Sequence, residues 1–297
     1  MQIQTMSIVV ASQRCNSSCP YCVSKMTDKT KFFKLDFNKR NFDIACKYAF
    51  QNNVSTLLFT GKGEPTLYPK MINNYLEYLN YNDLKYYFPF KELQTNGIIF
   101  LEDKFRLNAR EEEWLAKWYE RGLTTICLSI IHYESDKNKE IFGIPKDHSY
   151  DLLKITDMLH KIGYLVRWSC IMIKDYIDSY SKIKKLIFKA KEYKVEQLTI
   201  RPVSKPGLYE NENVYKWVLE NEISNEKLYH IKTCLGNYPK LMELVHGATV
   251  YDVNGQNVCL SNCLTIQPEE KDKLRQIIFY PDGSLYYDWQ YEGARLL

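Results

Sequence analysis

Six apolar, β-rich runs alternate with five segments of helical spacing over the first 203 residues, and this alternation limits the fold more than any other feature. The runs lie near 7–12, 55–60, 91–95, 124–130, 164–172 and 195–203; the helical segments lie near 38–51, 67–79, 111–121, 150–162 and 179–193. Strands separated by amphipathic helices read as βα units, in which each helix returns the chain to the same end of a parallel sheet. Such sheets place functional side chains at the carboxyl ends of their strands. Beyond residue 203 the pattern changes: segments near 213–222 and 224–235 look helical, and 276–289 reads as a hairpin turning at Asp282-Gly283. The expected organisation is a core over 1–203 and a C-terminal α+β extension over 204–297.

Three cysteines crowd the loop directly after the first run, in Cys15-Asn-Ser-Ser-Cys19-Pro-Tyr-Cys22. A zinc site completed by a distant His or Cys is one reading of that spacing. The other is an iron–sulfur cluster held by only three thiolates, which leaves one iron open to a small molecule. Nine cysteines in all, three clustered and the rest scattered, favour metal binding in a reducing compartment over a disulfide framework. The expected location is the cytoplasm. No run of about eighteen apolar residues and no signal-like N-terminus appears, so neither a membrane nor export is indicated. A net charge of +4 is too small to indicate nucleic acid as a partner. The lysines within 182–191 follow helical apolar spacing and read as a solvated face.

The cysteine spacing, with Tyr21 at its aromatic position, resembles the signature of the radical S-adenosylmethionine (SAM) superfamily. Further segments match in order. Phe59-Thr-Gly61-Lys-Gly63-Glu64-Pro65 resembles the glycine-rich segment after the family's second strand, with a lysine inserted into the usual Gly-Gly-Glu-Pro. Glu92-Leu-Gln94-Thr95-Asn96-Gly97 and Cys127-Leu-Ser129 resemble the ends of its third and fourth strands. The resemblance runs from about residue 8 to about residue 203 and implies a partial (β/α)6 barrel of parallel strands. It also implies a [4Fe-4S] cluster on Cys15, Cys19 and Cys22 that reductively cleaves S-adenosyl-L-methionine to a 5′-deoxyadenosyl radical, with the electron drawn from an external flavodoxin- or ferredoxin-type reductant. On this reading Gly61 and Gly63 allow close backbone approach, and Glu64 receives the methionine ammonium. Gln94, Asn96 and Ser129 meet ribose or carboxylate groups, and the backbone at Tyr21 reads the adenine.

Arg201 and Arg167 place guanidinium groups inside runs that otherwise look buried; each needs an anion, from cofactor, substrate or a structural ion pair. Arg201 is assigned to the cofactor. Arg167 is expected to face outward by alternation. Cys259 and Cys263, with Cys234, could hold a second iron–sulfur cluster, but their spacing argues for buried thiols. A small metabolite or nucleotide is the first expectation for the substrate and a ribosomal peptide the second. A non-catalytic iron–sulfur electron carrier or sensor is the rival of another class.

Overall fold

The computed structural model describes residues 2–11, 14–26, 37–101, 113–205, 209, 211–244, 247–261, 273–289 and 291–297. Its strands are β1 (Gln2–Ala11), β2 (Thr56–Gly61), β3 (Phe90–Thr95), β4 (Thr125–Ile130), β5 (Leu165–Met172), β6 (Gln197–Pro202), β7 (Lys240–Glu243), β8 (Thr249–Val253), β9 (Gln256–Leu260), β10 (Lys273–Phe279) and β11 (Leu285–Tyr286). The helices are α1 (Val23–Met26), α2 (Lys39–Gln51), α3 (Pro69–Tyr81), α4 (Trp114–Glu120), α5 (Ser135–Phe142), α6 (Leu152–Ile162), α7 (Tyr180–Glu192), α8 (Glu212–Asn221) and α9 (Asn225–Leu235). All six strands and five helices expected in the first 203 residues are present.

One sheet holds all the strands of the described residues, in the order β11-β10-β1-β2-β3-β4-β5-β6-β9-β8-β7. The six core strands run parallel, as a partial barrel requires. The sequence reading stopped the parallel set at six, whereas the C-terminal segment adds one parallel strand at each edge, β10 beside β1 and β9 beside β6. The expected hairpin forms between β10 and β11. Its first strand is therefore also a barrel strand. The β8–β9 hairpin escaped the sequence reading although its turn, Asn254-Gly255, is a strong signal. Both residues have positive φ, 53° and 85°, as a two-residue turn of this hand demands.

Strand alternation separates two surfaces. On the outer face Phe59, Leu93, Leu128, Trp168 and Ile200 are all fully buried. They pack with Phe42 and Ala45 of α2, Tyr75 and Leu76 of α3, Trp118 of α4, Ile155 of α6 and Leu186 of α7 in one continuous core. Complete burial of such side chains contributes roughly 1.5–3 kcal/mol each. The opposite face, set by the cross-strand register, carries Thr60, Glu92, Gln94, Cys127, Ser129, Arg167, Ser169, Thr199 and Arg201. A core packed on one face only leaves the other free for polar side chains.

The helix ends carry their own signals. Asn38, Asp151 and Ser179 each accept a hydrogen bond from the backbone N–H three residues on, capping α2, α6 and α7. Gly143 ends α5 at φ 67°, a conformation that favours glycine.

Phe279 of β10 is fully buried, with ring centroids 5.3 Å from Phe42 and 6.4 Å from Tyr75. Phe279→Ala is therefore expected to cost about 3–5 kcal/mol in denaturant unfolding. A loss under about 1 kcal/mol would mean that β10 is not part of the central core.

Candidate functional site

The loop 14–22 follows β1 in the chain and is held from three sides. Glu64 donates its backbone N–H to the Arg14 carbonyl at 3.0 Å, tying the loop to the segment after β2. Asn96, after β3, donates Nδ2 to Asn16 Oδ1 at 2.8 Å. Beyond β4, the Phe142 carbonyl that ends α5 accepts from Ser18 N at 2.8 Å and from Ser17 Oγ at 3.1 Å. The same Ser17 hydroxyl lies 2.8 Å from Cys19 Sγ. Close approach here also explains Gly143: a Cβ at that position would collide with Ser18 Oγ.

Glu64 is 3% exposed, and its carboxylate is directed at protein donors. Oε1 accepts from Thr66 N at 3.0 Å, Thr66 Oγ1 at 2.7 Å and Thr95 Oγ1 at 2.6 Å; Oε2 accepts from Asn96 N at 2.9 Å. Burial pushes its pKa up, against the pull of these hydrogen bonds. Four donors from two loops make Glu64 a clamp between the ends of β2 and β3. The sequence does not reveal that Thr66 and Thr95 converge on this carboxylate, which also lines the cavity where a ligand ammonium is expected.

Above the clamp lies a cavity of about 410 Å³. The eleven residues assigned from the sequence to the cluster or the cofactor all line it: Cys15, Cys19, Tyr21, Cys22, Gly61, Gly63, Glu64, Gln94, Asn96, Ser129 and Arg201. Ser17, 23–25, Thr60, Lys62, Pro65, Thr95, Phe142, Ile171 and 202–204 complete the wall. Most of these carried no signal, being ordinary residues whose position depends on loop packing. Tyr21 is nearly buried, and its ring centroid lies 6.2 Å from that of Trp217 on α8.

The thiols share the cavity without being drawn together. Among the described residues no three His, Cys, Asp or Glu side chains are placed to hold one metal ion. Burial pushes Cys15 up to about 11 and also raises Cys19, where the Ser17 hydroxyl opposes the shift. Metal binding displaces such thiol protons. The donor set, three thiols on one loop facing one cavity, suits a thiophilic metal group.

Two further observations fit a bound ligand. Arg201 lines the cavity, and its Nε is buried with no protein partner among the described residues. Gly61 and Gly63 are not among the glycines with positive φ, so backbone conformation does not demand glycine there. Space at the cavity wall accounts for them better.

Arg167 does not face outward as alternation suggests, but it makes the structural ion pair that was one of its expected partners. It lies on the polar face, with Nη2 2.8 Å from Glu92 Oε1 and Nε 3.2 Å from Cys127 Sγ, in a structural ion pair. Burial disfavours its charge, but Cys127 and Glu92 outweigh that and raise its pKa. Cys259, on β9, is buried in register with Thr199. Cys234 sits on α9 with Sγ 3.6 Å from His230 Nε2. The suggested pairing with Cys263 lies outside the described residues. Among the described residues no helix is long and apolar enough to cross a membrane.

No protein-family model and no curated protein matches the chain. Solved structures do. The chain is similar to Streptococcus suis SuiB bound to S-adenosylmethionine, with TM-score 0.60 and 15% identity over 100% of this chain and 62% of SuiB. Against SuiB bound to precursor peptide SuiA the TM-score is 0.58 at 16% identity, with the same shares of each chain covered. Against native anSMEcpe with bound AdoMet it is 0.57 at 16% identity, over 99% of this chain and 77% of that one. The chain thus spans about three-fifths of the length of SuiB. It has the fold of these S-adenosylmethionine-binding structures, the fold of the radical SAM enzymes that its motifs resemble.

The clamp is testable without any cofactor. Glu64→Gln turns one acceptor into an NH2 group facing protein donors, so the metal-free protein is expected to lose about 1–3 kcal/mol in chemical denaturation. Unchanged stability would mean that the carboxylate does not hold the loops.

Proposed function

We propose that this chain is a radical SAM enzyme. The observation that carries the reading is convergence: residues from Cys15 to Arg201, taken from four separate strand ends and the loop after β1, line one cavity at the carboxyl end of a parallel sheet. Fold likeness to structures bound to S-adenosylmethionine supports the same reading.

In this proposal Cys15, Cys19 and Cys22 hold a [4Fe-4S] cluster, and when bound it supplies the electron that cleaves S-adenosyl-L-methionine. The chain itself binds, orients and shields. Glu64 fixes the loops after β2 and β3 so that Gly61, Gly63 and Asn96 face the ligand. Arg201, whose Nε lacks a protein partner among the described residues, receives an anionic group. Ser129 and Gln94 offer short polar contacts at the ends of β4 and β3. Tyr21, packed on Trp217, closes the wall beside the thiols. Lys25 donates Nζ to the Cys19 carbonyl at 3.4 Å and steadies the same loop.

Hydrogen abstraction from a small metabolite or nucleotide is the first reading for the reaction, in the cytoplasm, with an external flavodoxin- or ferredoxin-type donor. The second reading is modification of a peptide. SuiB is described bound to precursor peptide SuiA and anSMEcpe bound to the Kp18Cys peptide, which favours a peptide as the second class.

Anaerobic iron–sulfur reconstitution, reduction and addition of S-adenosylmethionine test the proposal. Formation of 5′-deoxyadenosine is expected, with a loss of at least about 100-fold when Cys15, Cys19 or Cys22 becomes Ala, since removing a ligand removes the cluster. A cluster that forms yet leaves S-adenosylmethionine intact would favour the electron carrier or sensor instead.

A further inference from the structure

A charge network lies one layer below the cavity, and the proposed chemistry does not by itself explain it. Glu92 and Gln94 sit two residues apart on β3, so their side chains project from the same face. Gln94 reaches the cavity wall, while Glu92 lies deeper and is 8% exposed. Glu92 Oε1 receives two donors, Arg167 Nη2 at 2.8 Å and Gln94 Nε2 at 3.2 Å. Arg167 is itself steered by its Nε contact with Cys127 Sγ at 3.2 Å.

That arrangement decides which end of the Gln94 amide meets a ligand. An amide offers a donor on one branch and an acceptor on the other, and a glutamine without neighbours presents either. A carboxylate paired with a guanidinium is an acceptor only. The Gln94 branch facing Glu92 must therefore be the NH2 group, and the carbonyl oxygen is the branch turned away. Among the described residues Gln94 Oε1 takes no protein donor.

We propose that Glu92, held by Arg167, is a positioning residue that locks the Gln94 amide with its oxygen toward the cavity, where it accepts a hydrogen bond from an N–H or O–H group of S-adenosylmethionine. The inference rests on the radical SAM reading. It adds a specificity element: a ligand group at this position must be a donor, and an acceptor there is rejected because the amide cannot turn over.

Equilibrium binding of S-adenosylmethionine to the reconstituted protein tests the lock with no turnover required. Gln94→Ala is expected to weaken binding about tenfold. Replacing the ion pair as a unit, Glu92→Met with Arg167→Met, avoids stranding a buried charge and frees the amide to present either branch, so it is expected to weaken binding about two- to fivefold. Adding Gln94→Ala to that pair should bring the total loss only to the roughly tenfold of Gln94→Ala alone, whereas independent roles would multiply to about twenty- to fiftyfold. Glu92→Gln keeps an oxygen between Arg167 and Gln94, so it should stay within about threefold of the wild type.

Wild-type affinity in the charge-free pair, or multiplying losses, would overturn the lock. A crystal structure of the wild-type protein with S-adenosylmethionine needs no variant: Gln94 Oε1 within about 3.2 Å of a ligand donor upholds it, and Nε2 facing a ligand acceptor, or no contact, overturns it. Failure of the wild type to bind S-adenosylmethionine at all would instead sink the radical SAM reading, so the two failures are separable.

Discussion

Buried charge is costly unless enough donors surround it, and the site is organised around one carboxylate that meets that condition. Glu64 gathers Thr66 N, Thr66 Oγ1, Thr95 Oγ1 and Asn96 N, while its own backbone N–H holds the Arg14 carbonyl. Three chain segments that meet nowhere in sequence are thereby fixed to one another: the cysteine loop, the glycine segment after β2 and the polar turn after β3. The cavity wall follows from that junction. Without it, each loop would have several arrangements open to it, and the side chains on them would converge only by chance.

A second, separate ionic contact works one layer down. Glu92 and Arg167 neutralise each other on the polar face of the sheet, which leaves Arg201 as the guanidinium whose Nε has no protein partner among the described residues. The distinction matters because both arginines look alike in the sequence, each a basic residue in an apolar strand. Register separates them. Arg167 stands beside Cys127 on β4, deep in the sheet, whereas Arg201 lies opposite Ile171 near the strand ends, where the cavity opens. Depth along the strand, more than residue type, decides which charge is left for a ligand.

Much of this architecture was legible in the sequence, for a physical reason in each case. The six core strands are short and apolar because they pack on helices, and the helices show 3.6-residue spacing because one face is buried, so both signals survive without tertiary context. Cys15, Gly63 and Glu64 stood out because their spacing is unusual. Helix α5 did not, since Ser135–Phe142 is mostly polar and buries chiefly Asn138 and Phe142. Asn138 is a side chain satisfied entirely by local backbone: its amide meets Ile131 N, His132 N, His132 O and Glu134 O. No periodicity announces such a residue. The protein donors that Glu64 gathers left no mark in the sequence for the same kind of reason, since they lie on two separate segments. The parallel partners of β1 and β6 were missed because β9 and β10 are separated from them by long stretches of chain, and strand pairing at that range leaves no local mark.

Those long-range pairings bear on the site even though the C-terminal segment supplies none of the residues assigned to the cofactor from the sequence. Register runs from Gln2↔Lys273 to Ile8↔Phe279, so β1 is flanked by β2 on one side and by nearly the last strand on the other. The cysteine loop follows β1 in the chain, and β1 is fixed by both neighbours. Farther along, Tyr21 of that loop packs on Trp217 of α8, and Lys174 N, just beyond β5, donates to the Asn221 carbonyl at the end of the same helix. The strand before the thiol loop is thus held by β10, and Tyr21 of the loop by α8. Contacts that join the two ends of a chain form late and slowly, because the intervening loop must be closed first. The cavity therefore depends on the chain's last strands being in place, and a core ending at residue 203 would keep the motif residues while losing two of the surfaces that aim them.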